Sequence, residues 1–537
     1  MASLSPKTTV LGRRLAAHLL RRTTYNLTKT RIDQFALLTP TQAISILLTK
    51  NPPTLSEPLE AATGLPWLNN DREPETDDFK LKGYLRAWWI DEALKDTGIE
   101  HKLIFFFHSN LVANVQETDS YRYWDHMSLF RYYVLSDYKK LCSKMATDIV
   151  MLYYLNNAEN YKDNPNENFA RENFELFTVG KGPQIGPGNY TFYTEQDIQE
   201  AARLLTGFGW AERSEEKDPE TSISRGGANM YNHDSGEKIF TSAFQSRHIP
   251  GSDSSEGMWV ELQSFYDMIF DQDETAKNIT RKLYRYLVGK NITPEIENDI
   301  IGPLATTLKS NDYQVIPWLS QLLLSQHFYD EDDSDSKDEI IGSIVKSPLE
   351  LVLQAMSFLK IAVPDVQVDA VKHYDQFYCD GIMHNMLEPG GLDIFAPVNV
   401  AGYAAYYQAP GYSRSWFNGG TIYARYKLGT MLLNGETLYG GDLGSKVDIV
   451  TFVQNNIPGT DVAANVVHFF IDYLFPEAIS DDRFDYFLNT VFLNKLSAIN
   501  WRIEWQKFIN SGVDTEVIIP LTNLVTAVLS SPEYQLG

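Results

Sequence analysis

From residue 79 to about 157 apolar side chains recur at helical spacing almost without a break, through LKGYLRAWWIDEAL, HKLIFFFHSNLVANV and SYRYWDHMSLFRYYVLSDYKKLCSKMATDIVMLYYL. A period near 3.6 sustained over such a length predicts packed helices rather than strands. The spacing returns in WVELQSFYDMIF, DETAKNITRKLYRYLVG, YQVIPWLSQLLLSQHFY and SPLELVLQAMSFLK, and over about 421–434, 447–453, 463–473, 481–493 and 520–529. The first 50 residues carry two short helices, the second near 40–48 behind a turn at Thr39. In the first of them Arg13, Arg14, His18, Arg21 and Arg22 share one face opposite Leu15, Leu19 and Leu20, which reads as a solvated basic face. The helical pattern fails in two places. Between 208 and 258 Gly and polar residues rise and periodicity disappears, and 389–420, PGGLDIFAPVNVAGYAAYYQAPGYSRSWFNGG, is too rich in Gly, Pro and aromatics to be regular. The expected fold is therefore all-α: one large multi-helical body, a small irregular or β excursion near 208–258, and an irregular Gly/aromatic lobe near 389–420.

The acidic run DEDDSDSKDE, 330–339, has no apolar residue to bury and lacks the glycine and terminal glutamate of a calcium-binding EF-hand loop. It reads as a linker over 331–340, between an N-terminal helical region, 1–330, and a C-terminal region, 341–537, packed on the first.

The most informative local pattern is NPNENFARENFELFTVG, 164–180. Asn164 is placed to cap, Pro165 suits a first helical position, Glu167 suits a capping box, and Gly180 stops the helix. At about 100° per residue Glu167, Asn168, Arg171, Glu172 and Glu175 fall on one side, and Phe169, Ala170, Phe174, Leu176 and Phe177 on the other, with Asn173 interrupting the apolar face. On that spacing Arg171 bridges Glu167 and Glu175, whereas Glu172 has no cation within reach. A Gly/Pro loop follows, then a second helix opened by Thr194 and Asp197 in a capping-box pattern and closed by Gly207, making a helix–loop–helix hairpin over 164–207.

Composition narrows the function classes. A chain of 537 residues with a formal charge of −24 has no clustered positive surface for nucleic acid, and anionic membranes are disfavoured likewise. No apolar run approaches the ~18 residues of a membrane span. The two cysteines, Cys142 and Cys379, define no disulfide framework and no zinc site. The basic N-terminus lacks both a sustained apolar stretch and a small-residue cleavage site, so the expected address is cytoplasmic. HExxH, GxxxxGK[ST] and GxSxG motifs are absent; Ser343 and Lys346 fit SxxK, but KTG and SDN do not accompany it.

The blocks HLLRRTTYN, NPNENFARENFELFTVG, YTEQDIQEAARLLTGF, HDSGEKIF, RKLYRYLV, KSPLELV, GGLDIFAPVNVAGY, FNGGTIYAR and SSPEYQL, in that order, resemble the bacterial family catalogued as domain of unknown function 1800. The resemblance runs from about residue 11 to the C-terminus. It implies a large helical bacterial protein without an established activity; many members carry export signals and are encoded near sulfatase-like neighbours. Export by an unrecognised route is therefore the alternative to a cytoplasmic address. Phe177 stands where many relatives have a histidine, which weakens any metal site that would have used it.

Candidate chemistry concentrates on the hairpin. Glu172 and Glu175 on one helix, with Glu200 and Arg203 on the matching face of the next, suit either a carboxylate site or a structural ion-pair network. His233 and Asp234 supply an imidazole and a carboxylate in the irregular excursion, where they suit acid–base work or a turn with Gly236. His108 reads as a hydrogen-bonded core histidine. Arg171 and Arg203 are candidate binding cations, and Tyr407, Arg414 and Trp416 of the Gly/aromatic lobe suit either a stacked ligand or a cover on the core. No metal or cofactor is specified. Two function classes follow: a non-catalytic binding or assembly protein working with a protein partner, or a metal- or carboxylate-dependent hydrolase-like enzyme using the 164–207 hairpin with His233 and Asp234. The absent motifs favour the first.

Overall fold

The computed structural model describes residues 2–49, 57–68, 73–213, 215–332 and 340–537. Helices make up 56% of it and strands are few and short, a mostly all-α fold as the periodicity predicts. The strands form three small antiparallel ribbons: Gln184–Gly186 with Asn189–Tyr190, Phe208–Gly209 with Gly227–Ala228, and Lys238–Ile239 with His248–Ile249. The last two lie in the expected excursion, where Phe208 faces Ala228 and Lys238 faces Ile249. Residues 333–339, most of the acidic run, lie outside the described residues. The run's first residues are tied down, Glu331 to Lys7 at 2.7 Å and Asp332 to His327 at 2.8 Å.

One contiguous apolar core runs from Leu11 to Tyr534 and draws on both halves of the chain. Helix Asp78–Lys95, capped by Asp77, packs on helices Lys372–Leu387 and Pro348–Leu359, and helix Gly12–Thr23 packs on Ala463–Leu474. Helix Pro348–Leu359 starts in a complete capping box, Ser347 with Glu350, and has Pro348 at its first position, where the missing N–H is not needed.

The first helix departs from its expected exposure. Only Arg13 and Arg14 reach solvent, paired with Asp472 and Glu477; His18, Arg21 and Arg22 are buried. Arg21 donates to the carbonyls of Tyr473 (2.7 Å) and Phe475 (3.0 Å), Arg22 to that of Ile340 (2.8 Å), and His18 Nε2 lies 2.9 Å from the carbonyl of Phe328. Periodicity marks a polar face but does not distinguish water from a neighbouring segment that presents carbonyls.

Three further differences have local causes. The first 50 residues hold three helices rather than two, Gly12–Thr23, Lys29–Ala36 and Pro40–Leu47. Helix Lys372–Leu387 winds in wide i→i+5 turns, to which a 3.6-residue period is blind. Helix Ala498–Ser511 buries only Trp501 and Trp505, too few apolar positions to show a stripe. In the Gly/aromatic lobe, regular structure is limited to the short turns Ala404–Tyr407 and Tyr412–Trp416, while Phe395 enters the core at φ 59°, its ring 4.8 Å from both Trp89 and His108.

Candidate functional site

The hairpin begins two residues later than its sequence predicts. Asn166, not Asn164, caps helix Glu167–Glu172 by accepting from the Asn168 N–H at 3.0 Å, and Pro165 precedes the helix. Beyond Glu172 the backbone widens into a π-helical turn, Asn173–Phe177, where Asn173 is buried and accepts from the Tyr266 hydroxyl at 3.0 Å. The polar residue that interrupts the apolar face is thus the point where the winding changes. A wider turn rotates every later side chain relative to the earlier ones. Arg171 consequently does not bridge Glu175. It binds Glu167 at 3.0 Å and crosses the hairpin to Glu195 at 2.7 and 3.2 Å. Glu175 turns instead toward Lys181 and the Tyr193 hydroxyl, the latter at 3.1 Å. Glu172 is half-buried and makes no hydrogen bond among the described residues; burial pushes its carboxyl up, against the pull of Lys181 and Arg171.

The second helix, Glu195–Leu204, opens in the expected Thr194–Asp197 capping box. Asp197 also accepts from the Thr241 N–H (2.7 Å) and hydroxyl (2.8 Å), which ties the hairpin to the excursion. At the far end Arg203 grips Asp234 through two bonds, 2.8 and 3.1 Å, and Glu200 through a third, 2.6 Å. His233 lies buried alongside, Nδ1 2.8 Å from the Thr206 carbonyl and Nε2 3.2 Å from Glu261, whose other oxygen accepts from Lys238 at 2.8 Å. Gly207 closes the helix at φ 80°, where a Cβ would meet the Asn229 carbonyl at 2.6 Å. The structure therefore joins Glu200, Arg203, His233 and Asp234 with Glu261 and Lys238, and leaves Arg171, Glu172 and Glu175 outside that network. Each carboxylate in the network faces a cation, and both His233 nitrogens face acceptor oxygens, an arrangement that fastens the excursion to the hairpin. Among the described residues no group of three or more His, Cys, Asp or Glu is placed to hold a metal ion. Tyr407 and Arg414 are exposed, while Trp416 is buried against Tyr403 and Tyr406.

A second site comes from residues that no spacing rule singles out. Helix Asp78–Lys95 supplies Trp88 and Trp89, helix Glu100–His108 supplies His101 and Ile104, and helix Ser120–Tyr133 supplies Trp124, Met127, Ser128 and Arg131; together they line a cleft of about 330 Å³. The rings of Trp88 and Trp124 lie 5.1 Å apart, and Trp89 lies 5.3 Å from His101. The Trp89 indole N–H is buried without a hydrogen-bond partner among the described residues. Asp96, the residue after helix Asp78–Lys95, accepts from the Gly98 N–H (2.7 Å), the His101 N–H (3.1 Å) and His101 Nδ1 (2.8 Å). Burial raises the Asp96 carboxyl, but the hydrogen bonds from His101 and Gly98 outweigh it and hold the group down at about 2. The Nδ1–H of His101 is thereby fixed on the carboxylate, and Nε2 makes no hydrogen bond among the described residues. Arg131 stands 3.5 Å from Glu100 at the same cleft.

Residues 18–536 match the family model described as Protein of unknown function (DUF1800). The chain belongs to this family. No curated protein and no solved structure matches it. In this DUF1800 chain Phe177 is a core residue, 3% exposed, its ring 6.3 Å from that of Phe169.

The two ends of the hairpin differ in what their charges stabilise. Arg171 is about one-third exposed, whereas Lys238 and Glu261 are buried. Arg171→Met is expected to cost under about 1 kcal/mol, and Lys238→Met, which strands Glu261, about 3 to 5 kcal/mol. Urea unfolding of both variants checks this, and equal costs contradict it.

Asp96 gives a pH signature. Its folded value is depressed to about 2, so its contribution, roughly 2 kcal/mol, is complete above about pH 5 and is lost as pH falls through 2. The stability gap between wild type and Asp96→Asn is expected to shrink by about half from pH 7 to pH 3. A gap independent of pH contradicts the pairing.

Proposed function

We propose that this DUF1800 chain is a binding protein whose ligand occupies the tryptophan cleft: a small, flat, largely apolar molecule bearing an acidic group. The observation that carries the reading is the combination of three tryptophans with His101 and Arg131 in one cleft. Ligand sites are typically apolar concavities of roughly 300–1,000 Å³ with a few convergent polar groups, and this cleft has that size and make-up. Its indole faces suit an aromatic or alicyclic body, and the Arg131 guanidinium suits an acidic group at one edge. The hairpin residues, by contrast, largely spend their hydrogen-bonding capacity on one another.

Hydrolysis is the second reading. It is favoured by the Asp96–His101 pair, an oriented imidazole of the kind that serves as a general base, in the same cleft as the Ser128 hydroxyl.

Fluorescence titration with 8-anilinonaphthalene-1-sulfonate, an aromatic anion, tests the binding reading. Saturable binding at one site is expected, weakened at least about tenfold in Trp124→Ala, a loss of about 1.4 kcal/mol or more. Absent binding, or binding indifferent to Trp124→Ala in a variant that melts as wild type does, contradicts it. Turnover of aryl esters that is abolished by His101→Gln would move the assignment to the second reading.

A further inference from the structure

Two sequence features take no part in the cleft or the hairpin: the buried arginines of the first helix, and Lys346 of the SxxK pattern. They converge. Arg21, Arg22, Lys102, Lys346 and Arg425 are each at most 3% exposed; Glu350 acts on the last four, and Glu477, at the surface, on Arg21. Glu350 is already engaged, receiving Lys102 Nζ on one oxygen and the Ser347 N–H on the other at 2.7 Å.

The remaining cations rely on neutral acceptors. Arg21 and Arg22 use backbone carbonyls, and Arg425 uses the Gln535 side-chain oxygen and the Lys346 carbonyl, both at 2.9 Å. Among the described residues four buried donors of this set are left over, the Nε atoms of Arg21 and Arg22, Lys346 Nζ and Arg425 Nη1, and the last two meet on one segment. Among the described residues Lys346 Nζ has no hydrogen-bond partner and lies 3.8 Å from the centre of the Tyr534 ring, and Arg425 Nη1 is buried and likewise unpartnered. Both side chains meet the same short segment, Lys346 on Tyr534 and Arg425 on Gln535, and they are joined through the Lys346 carbonyl.

A buried ammonium facing an aromatic ring gains from the ring's negative face, but an uncompensated buried charge costs more than that contact returns. The ring alone does not balance the charge. We propose that Lys346 Nζ and Arg425 Nη1 bind a small monovalent anion of the halide class beside Tyr534. The chemistry suits that class: the donors are cationic N–H groups, neither has a hydrogen-bond partner among the described residues, and the neighbouring Arg21 adds positive potential. Burial drives the Lys346 ammonium well below its usual range, Arg21 pushes the same way, Glu350 opposes, and Arg425 and Lys102 add to the fall. A bound anion reverses that balance and keeps the lysine protonated.

The test uses bromide as the probe, on the full chain freed of chloride by dialysis. Crystals grown in sodium bromide and measured at the bromine edge are expected to show an anomalous peak within hydrogen-bond distance of Lys346 Nζ and Arg425 Nη1. In solution, Tm in sodium bromide is expected to exceed Tm in sodium gluconate at equal ionic strength, by about 2 °C when bromide is a hundredfold above its Kd. Lys346→Met is expected to lose that difference. Bromide at surface positions only, or a bromide effect that persists in Lys346→Met, overturns the proposal. If Lys346→Met does not fold, the wild-type anomalous map decides: a peak at the two donors supports the site and its absence removes it.

Discussion

The constraint on which the architecture turns is the placement of several full positive charges inside an apolar core. Burying a charge is costly unless oppositely charged or strongly polar groups surround it, so each of these side chains must draw acceptors toward it. The acceptors come from distant parts of the chain. Lys102 reaches Glu350, Arg22 reaches the carbonyl of Ile340, Arg21 reaches those of Tyr473 and Phe475, and Arg425 reaches Gln535. These contacts cross-link the first helix, the aromatic helix Glu100–His108, the capped helix Pro348–Leu359 and the last residues. Apolar packing by itself would leave the relative placement of these segments loosely specified; donors that need particular carbonyls narrow it.

The cleft shares a wall with this charged centre. Adjacent residues of one helix divide the work, His101 facing the cleft and Lys102 facing inward, and Trp89 of the cleft lies 6.3 Å from the Tyr25 ring, over which the Lys102 ammonium sits at 4.9 Å. The hairpin and its excursion form a more peripheral assembly held by its own ion pairs, with His233, Glu261 and Lys238 as its buried clasp. Such a division suits a binding protein: a rigid centre positions the cleft, and the polar network fixes the outer segments.

Long helical segments were legible because their apolar residues keep a 3.6-residue period, and the capping box at Thr194 stands where its residue types predict. The hairpin's charge pairing was not legible past Glu172, because a π turn changes the angle per residue and a sequence carries no explicit mark of it beyond a buried polar residue, Asn173. Arg21 and Arg22 read as surface residues since a face covered by carbonyls and a face covered by water have the same pattern. The cleft was invisible for another reason. Trp88 and Trp89 are adjacent, Asp96 and His101 straddle a helix junction, and Arg131 is a turn beyond Met127; only the packing of three helices brings these groups together.

The halves before and after the acidic run are expected to unfold as one unit, fastened by the buried charges around Glu350. Glu350→Gln keeps the side chain's volume and its place in the cap but removes the negative charge that acts on Arg22, Lys102, Lys346 and Arg425. Urea unfolding of this variant, followed by far-ultraviolet circular dichroism and tryptophan fluorescence together, is the most direct measurement. One shared transition displaced by about 3 to 5 kcal/mol is the predicted result. A loss under about 1 kcal/mol, the size of an exposed pair, or two separate transitions, would contradict it.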